Sequence, residues 1–431
     1  MPYKELKNNL VQPFATFALH RMAIAMQLTL SLCSLMTFVF LSLTQNPILA
    51  DSKTLESDIQ VLRSIRQSIN PHTIPSSSFL HSWSFSIDPC DAPGTHFLGI
   101  LCNIPDNNSS SRITAINLEE DGLEGSLPPS LGNLTELTLL NLRKNRFHGQ
   151  IPDSIIRMTK ITTLLLSENF LSGGIPHGFR GLKRLEVIDL SHNRLSGSIP
   201  AALSNIRSLI HLRLSNNKFS GRIPDLTGLW QLNTLDLSSN QLFGYLPELP
   251  NSLISLLLGG NLLSGHISTL HGLRHLRLLD LSRNRFSGPI NQAILALPEI
   301  RNVNVSENRF TRINMMRMSN RPSLLHAIEA QNNQITGRLP INLITYQNLN
   351  SVNLGHNLFH GRIPVEYGER VSKGYWRRLF LDYNMLQGNV PSGFIHSSIR
   401  GSLAHNCLNC RRNIPLCPGR QRSPAECIRG R

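Results

Sequence analysis

Apolar and polar positions recur along this chain with a steady beat. In "LEVIDLSHNRLSGSIP", residues 185–200, the apolar residues Leu185, Ile188, Leu190 and Leu195 bracket a lone amide, Asn193, and Gly197 and Pro200 close the stretch. The amide returns at Asn145, Asn169, Asn193, Asn217, Asn240, Asn261, Asn284, Asn308, Asn333, Asn357 and Asn384, with Asp121 in its place one unit earlier. The spacings are 24, 24, 24, 24, 23, 21, 23, 24, 25, 24 and 27. An apolar residue stands two positions after each of these twelve, and Gly stands four positions after eleven of them. Alternation before each Asn predicts a short strand, and Gly with Pro after it predicts a turn. Twelve units in phase predict a stack of coils, each a strand and a return path, with parallel strands ~4.8 Å apart.

The amide has a physical task in such a stack. The chain turns sharply after each strand, which leaves backbone N–H and C=O groups inside. Asn offers two donors and an acceptor on a short side chain. Stacked asparagines satisfy those groups from coil to coil, and each Asn→Leu change is expected to cost roughly 1–3 kcal/mol per polar group left unpaired.

These units follow L-x-x-L-x-L-x-x-N-x-L, the leucine-rich repeat pattern. The wording "LSGSIP" and "FSGRIP" resembles the plant-specific class of that family, found in ectodomains of receptor kinases, in receptor-like proteins and in secreted polygalacturonase inhibitors. The resemblance covers residues 51–431. It implies an α/β solenoid, a right-handed superhelix of about twelve 24-residue repeats with disulfide-bonded caps at both ends. Residues 51–111 then form the N-terminal cap, 112–391 the repeats and 392–431 a Cys-rich basic C-terminal cap. Within the first cap, "DSKTLESDIQVLRSIRQSIN" places Leu55, Ile59, Leu62 and Ile69 on one helical face, ended by Pro71. "WSFSIDPC" and "FLGILC" follow, and the family's cap implies a Cys90–Cys102 bond that closes the first coil. A cap is needed because an open solenoid end would expose its leucines to water.

The front of the chain reads as a secretory signal, residues 1–50. Lys4, Lys7 and Arg21 precede an apolar run from Met22 to Leu43, and Ala50 offers a cleavage site; Met22 or Met26 would each begin a signal of ordinary length. An uncleaved anchor is the alternative, because the run is ~20 residues long. No second long apolar run is present, so no C-terminal membrane span is expected. Of seven cysteines, Cys33 falls in the signal; Cys90, Cys102, Cys407, Cys410, Cys417 and Cys427 remain. An even number in a secreted chain reads as disulfides, and the last four allow three pairings. His405, Cys407 and Cys410 have the chemistry of zinc ligands, but the compartment favours disulfides.

No P-loop, H-E-x-x-H, nucleophile elbow or kinase motif set occurs, so a non-enzymatic protein without cofactor is expected. Function then lies on surfaces. In the family's fold the residues 7, 6, 4, 2 and 1 positions before each Asn face the concave side. There Glu186, Asp189, His211, Arg213, Asp236, Arg277, Asp280 and Arg283 form a charged stripe, the candidate site for a protein or peptide ligand. A membrane receptor kinase is a second candidate partner, which would supply the output of cell-surface signalling. Inhibition of a wall-degrading hydrolase is the alternative function. Sequons stand at Asn107, Asn108, Asn133 and Asn304, and a glycan on Asn304 would leave repeats two to seven, or a flank, for the ligand. The net charge is +15 on 431 residues. The insertion near "EYGERVSKGYWRRL" adds Tyr367, Arg370, Lys373, Tyr375, Trp376, Arg377 and Arg378, and six arginines follow Cys407. Such a surface suits an acidic wall polysaccharide such as pectin. Nucleic acid is excluded by the extracellular compartment, either apoplast or outer face of the plasma membrane.

Overall fold

The computed structural model describes residues 54–91, 94–103, 109–318, 322–395, 397–411, 413–423 and 426–427. The expected signal segment and the sequons at Asn107 and Asn108 lie outside them. Among the described residues no helix is long and apolar enough to cross a membrane.

The chain winds into a leucine-rich repeat solenoid. Fourteen strands form one long sheet: Ile100–Asn103 pairs antiparallel with Arg112–Asn117, and the rest run parallel in chain order to Arg400–Ser402. Most of its strands have three residues, the middle one buried, as in Val187–Asp189 and His211–Arg213. A second layer on the return path makes a nine-stranded sheet from Glu124–Ser126 to Arg309–Ile313 and a four-stranded sheet from Thr336–Arg338 to Cys407–Asn409. The leucines between the layers are almost wholly buried, for example Leu185, Leu190, Leu195 and Leu203.

The ladder asparagines sit where the two layers meet. Asn193 Nδ2 donates to the carbonyls of Leu190 (3.2 Å) and Ser191 (3.1 Å) in its own coil and of Leu166 (2.9 Å) in the coil before. Its Oδ1 accepts from Leu171 N–H at 2.9 Å. Leu166 follows a strand of the long sheet and Leu171 belongs to the second layer, so one amide fastens both layers of adjacent coils. The bonds recur at Asn145, Asn261, Asn333 and Asn384, among others. Gly197 completes the turn at φ +83°, a conformation that side chains with a Cβ resist.

The structure carries this ladder one rung past the expected twelve. Asn406, fully buried, donates to Leu381, Leu403 and Ala404 carbonyls and accepts from Leu386 N–H. Parallel strand pairing also continues to Asn409, inside the stretch expected as the C-terminal cap. Beyond it Gln421 stands in for a further rung. Its Nε2 donates to Leu403 O (3.0 Å) and its Oε1 accepts from Leu408 N (3.4 Å) and Asn406 N (3.2 Å).

At the other end the cap helix spans Glu56–Ser68 and stops before Pro71. Its buried face differs from the expected one: Asp58, Val61, Leu62 and Ile65 face inward, with Ile69 just after, while Leu55 and Ile59 are only half-buried. Asp58 explains the rotation. Fully buried, it takes two hydrogen bonds from Arg112 (2.9 and 3.1 Å) and one from Ile113 N–H (3.1 Å), which pins the helix to the strand Arg112–Asn117. A buried charge is tolerated only when paired in this way. Trp83, also buried, donates its indole N–H to Leu98 O at 3.0 Å.

Candidate functional site

In a three-residue strand the outer two side chains share the face opposite the core. Parallel register then sets neighbours across coils. Arg213 lies beside Asp189 on one side and Asp236 on the other, and His211 lies between Val187 and Thr234. The fold thus assembles Asp189, His211, Arg213 and Asp236 into one patch on three successive strands, with exposed Glu186 at its margin. Arg277, Asp280 and Arg283 form a second group, separated from the first by the neutral strand Ser255–Leu257.

The acids of this stripe also hold the backbone. Asp189 is only 7% exposed, and its Oδ1 accepts from both the N–H (3.1 Å) and the hydroxyl (2.6 Å) of Ser191. Asp236 does the same with Ser238, and Asp280 accepts from Ser282 N–H at 2.9 Å. Asn141, Asn304 and Asn353 use their side-chain oxygens in the same way. An acid or amide four positions before the ladder residue therefore closes the turn that leads to it. Arg213 and His211 have no such local duty. His211 is partly buried with an unpartnered Nδ1, and burial, aided by the Arg213 charge, pushes its pKa down.

In the second group, Arg277 meets Glu299 at 2.7 Å and His275 meets the same carboxylate at 3.1 Å. Hydrogen bonds from Arg277 and His275 hold Glu299 below the usual carboxylate range. These three line a cavity of 430 Å³ with Asn233, Ser252 and Ile254. Arg283 pairs with Glu307 at 3.0 Å. The sequence reading missed His275 and Glu299, because both lie on the loop before the strand, outside the columns that face the same way. It also missed the end of this face, where the rings of His356, Tyr383 and His405 stack at 4.0 and 4.1 Å.

The sequon residue Asn133 is exposed on the return path. Asn304 is half-buried, its side-chain oxygen taken by the N–H and hydroxyl of Ser306. All six described cysteines are bonded, Cys90 to Cys102, Cys407 to Cys427 and Cys410 to Cys417. No thiolate beside His405 is thus left to ligate zinc.

The insertion corrects an expectation. Its extra residues fold as the helix Val365–Ser372, and Tyr367 and Trp376 are buried, edge to face at 4.8 Å. Arg370 is tied to the carbonyls of Tyr346, Gln347 and Leu349. Only Lys373, Tyr375, Arg377 and Arg378 remain outward. Tyr367 and Trp376 were drawn into the core because a lengthened return path needs filling.

Comparison with known proteins fits this architecture. The family described as "Leucine rich repeat" matches residues 136–158, 159–219, 231–253 and 275–297, and "Leucine rich repeat N-terminal domain" matches 55–103. A probable LRR receptor-like serine/threonine-protein kinase of Arabidopsis thaliana is 32% identical over 85 residues, 20% of this chain and 9% of the kinase. Among solved structures, the plant peptide hormone receptor RGFR1 in complex with RGF2 is similar with a TM-score of 0.56 and 28% identity, over 66% of this chain and 49% of the receptor chain. A leucine-rich repeat protein of Leptospira interrogans is similar with a TM-score of 0.50 and 25% identity, over 70% of this chain and 82% of its own. The chain thus spans about half of the hormone receptor and a small part of the kinase.

Proposed function

Since this chain belongs to the leucine-rich repeat proteins, we propose that it is an extracellular, non-enzymatic recognition protein of cell-surface signalling. It binds a peptide or a partner ectodomain on the face of its long sheet, and a membrane kinase supplies the output. The observation that carries this reading is Arg213 set between Asp189 and Asp236 at fixed register. Alternating charge on a rigid sheet gives orientation and partner choice more than raw affinity. Three disulfides fit an oxidising compartment, and the likeness to a receptor solved with a peptide hormone supports a peptide-sized ligand. A glycan on Asn304 would confine that ligand to the earlier coils.

The test must respect the turn-closing role of the acids. Asp189→Lys would disturb the backbone as well as the charge, whereas Asp189→Asn keeps an oxygen for Ser191. The secreted chain is therefore compared with Arg213→Glu and with Asp189→Asn plus Asp236→Asn in pull-downs from a plasma-membrane fraction. Loss of the captured kinase or peptide in both variants, with unfolding midpoints unchanged, is the expected result. An identical set of captured proteins across all three forms would overturn the reading.

A further inference from the structure

Past its first strand, which holds Glu124, the second layer carries charge of one sign. From the strand Arg146–Gln150 to the strand Cys407–Asn409, its strands contain no Asp or Glu. The residue two positions after each ladder Asn points to the core; its flanking neighbours face solvent and need not be basic for the fold to form. Midway along this face Phe243 and Tyr245 are 48% and 71% exposed. Together with Leu262 and the arginines Arg222, Arg285 and Arg309, they border a hollow of 650 Å³. None of these arginines joins an ion pair among the described residues.

The side chains are laid down by the scaffold. A Cβ on Gly265 would come within 2.3 Å of the Tyr245 ring, and one on Gly244 within 3.1 Å of Arg222 Cγ. These two repeat glycines thus double as floors for side chains of the coil before. Rings and guanidinium groups are held against the sheet, in rows spaced ~4.8 Å apart.

A basic patch alone is ordinarily a solvated face. Here exposed aromatic rings and unpaired arginines share one hollow, and no carboxylate stands on the strands around it. We propose that this face binds an extended acidic polysaccharide, with uronate carboxylates on Arg222, Arg285 and Arg309 and sugar rings stacked on Phe243 and Tyr245. Guanidinium groups match carboxylates in a two-pronged geometry. Sugar rings carry apolar C–H faces that suit aromatic rings. A linear polymer with a carboxylate on every sugar repeats its charge along the direction in which the coils stack. An acidic peptide lacks the ring faces. This site lies on a different layer from the long-sheet face, so polymer and protein ligand do not compete.

The probe is a set of size-defined galacturonic acid oligomers, titrated against the full disulfide-bonded chain at low ionic strength. Arg285→Gln with Arg309→Gln is expected to weaken binding about tenfold or more. Phe243→Ala with Tyr245→Ala is expected to weaken it by about tenfold. Methyl-esterified oligomers, which lack the charge, bind the wild-type chain as weakly, and added salt releases the acidic ones. Arg213→Glu, on the other layer, leaves the affinity unchanged. The proposal is overturned if the wild-type chain does not bind, if the double arginine variant binds as tightly as wild type, or if polyglutamate or polyphosphate binds as tightly as the uronate. The esterified comparison uses only wild-type protein, so it decides the matter even if a variant misfolds.

Discussion

At the first rung Asp121 accepts from the Ser78 hydroxyl (2.7 Å) and the Phe79 N–H (3.1 Å); beyond the last, Gln421 donates to Leu403 O and accepts from Leu408 N–H. Both residues close the same ladder, yet one is an acid and the other an amide. The difference follows from what each end meets. An interior Asn lies against two carbonyls of its own coil, a third in the coil before and an N–H, so it must donate and accept. Asp121 has no earlier coil behind it. The cap offers it only donors, and a carboxylate is an acceptor and nothing else. Past Asn406 no coil follows, but the last coil still presents a carbonyl and two N–H groups. Gln421 reaches them from the cap on a side chain one carbon longer. Residue type at a ladder position is therefore set by the donors and acceptors of the layer beside it.

The sharpest way to break this comparison is to remove an interior amide. Asn193→Leu leaves the Leu171 N–H without its partner and takes one donor from each of the Leu166, Leu190 and Ser191 carbonyls, which keep bonds from Asn169, Asn217 and the Glu168 N–H. The expected loss is about 2–3 kcal/mol. Urea unfolding reads the loss, and hydrogen exchange at Leu171 locates it, because damage in a solenoid stays with its neighbours. Exchange unchanged at Leu171 would show that the amide is dispensable. Gln421→Ala should cost less, about 1–2 kcal/mol, because the end coil is partly open to water. Gln421→Glu separates the two halves of the role: it keeps the acceptor for Leu408 but sets a carboxylate against Leu403 O. If Glu proves as stable as Gln, the donor half of the role is empty.

Much of the fold was legible because it is written twelve times. A position that recurs every 21 to 27 residues can be read even where single units drift. Asn406 escaped notice for a local reason. The position five residues before it holds Gly401 in place of an apolar residue, because a Cβ there would stand 1.7 Å from Leu379 O. Cys407 beside it suggested a cap. Gln421 could not be read at all, since it touches the ladder from outside the repeat and has no periodic partner. Within the candidate site, Asp189, Asp236 and Asp280 looked like surface charge. The clue to their second role was present: Ser191, Ser238 and Ser282 stand two positions after them, the spacing of a side chain that closes its own turn. Glu299 depends on a contact across coils and the buried Trp376 packs on Tyr367 of the inserted helix, which no repeat pattern reports.

The smallest effect tests the acid at the first rung. Asp121→Asn keeps one oxygen for Phe79 N–H, while its NH2 group can turn to the Ser78 oxygen, so the cost should be about 1 kcal/mol. The pH dependence is more telling than the size. Burial pushes the Asp121 carboxyl above its ordinary 3.8, against the lowering pull of Ser78, Phe79 and His81. A carboxyl raised in the folded state binds its proton more tightly there than in the unfolded chain. Its stabilisation is then complete below 3.8 and fades as pH rises through the folded value. Asn has no such titration. The stability gap between wild type and Asp121→Asn should thus be wider near pH 3.5 than near pH 6, with other groups cancelling in the difference. Paired thermal melts at the two pH values measure it. A gap that widens toward pH 6 would mean that the carboxylate is favoured by the cap donors more than burial opposes it, and the first rung would be held by charge, unlike every amide above it.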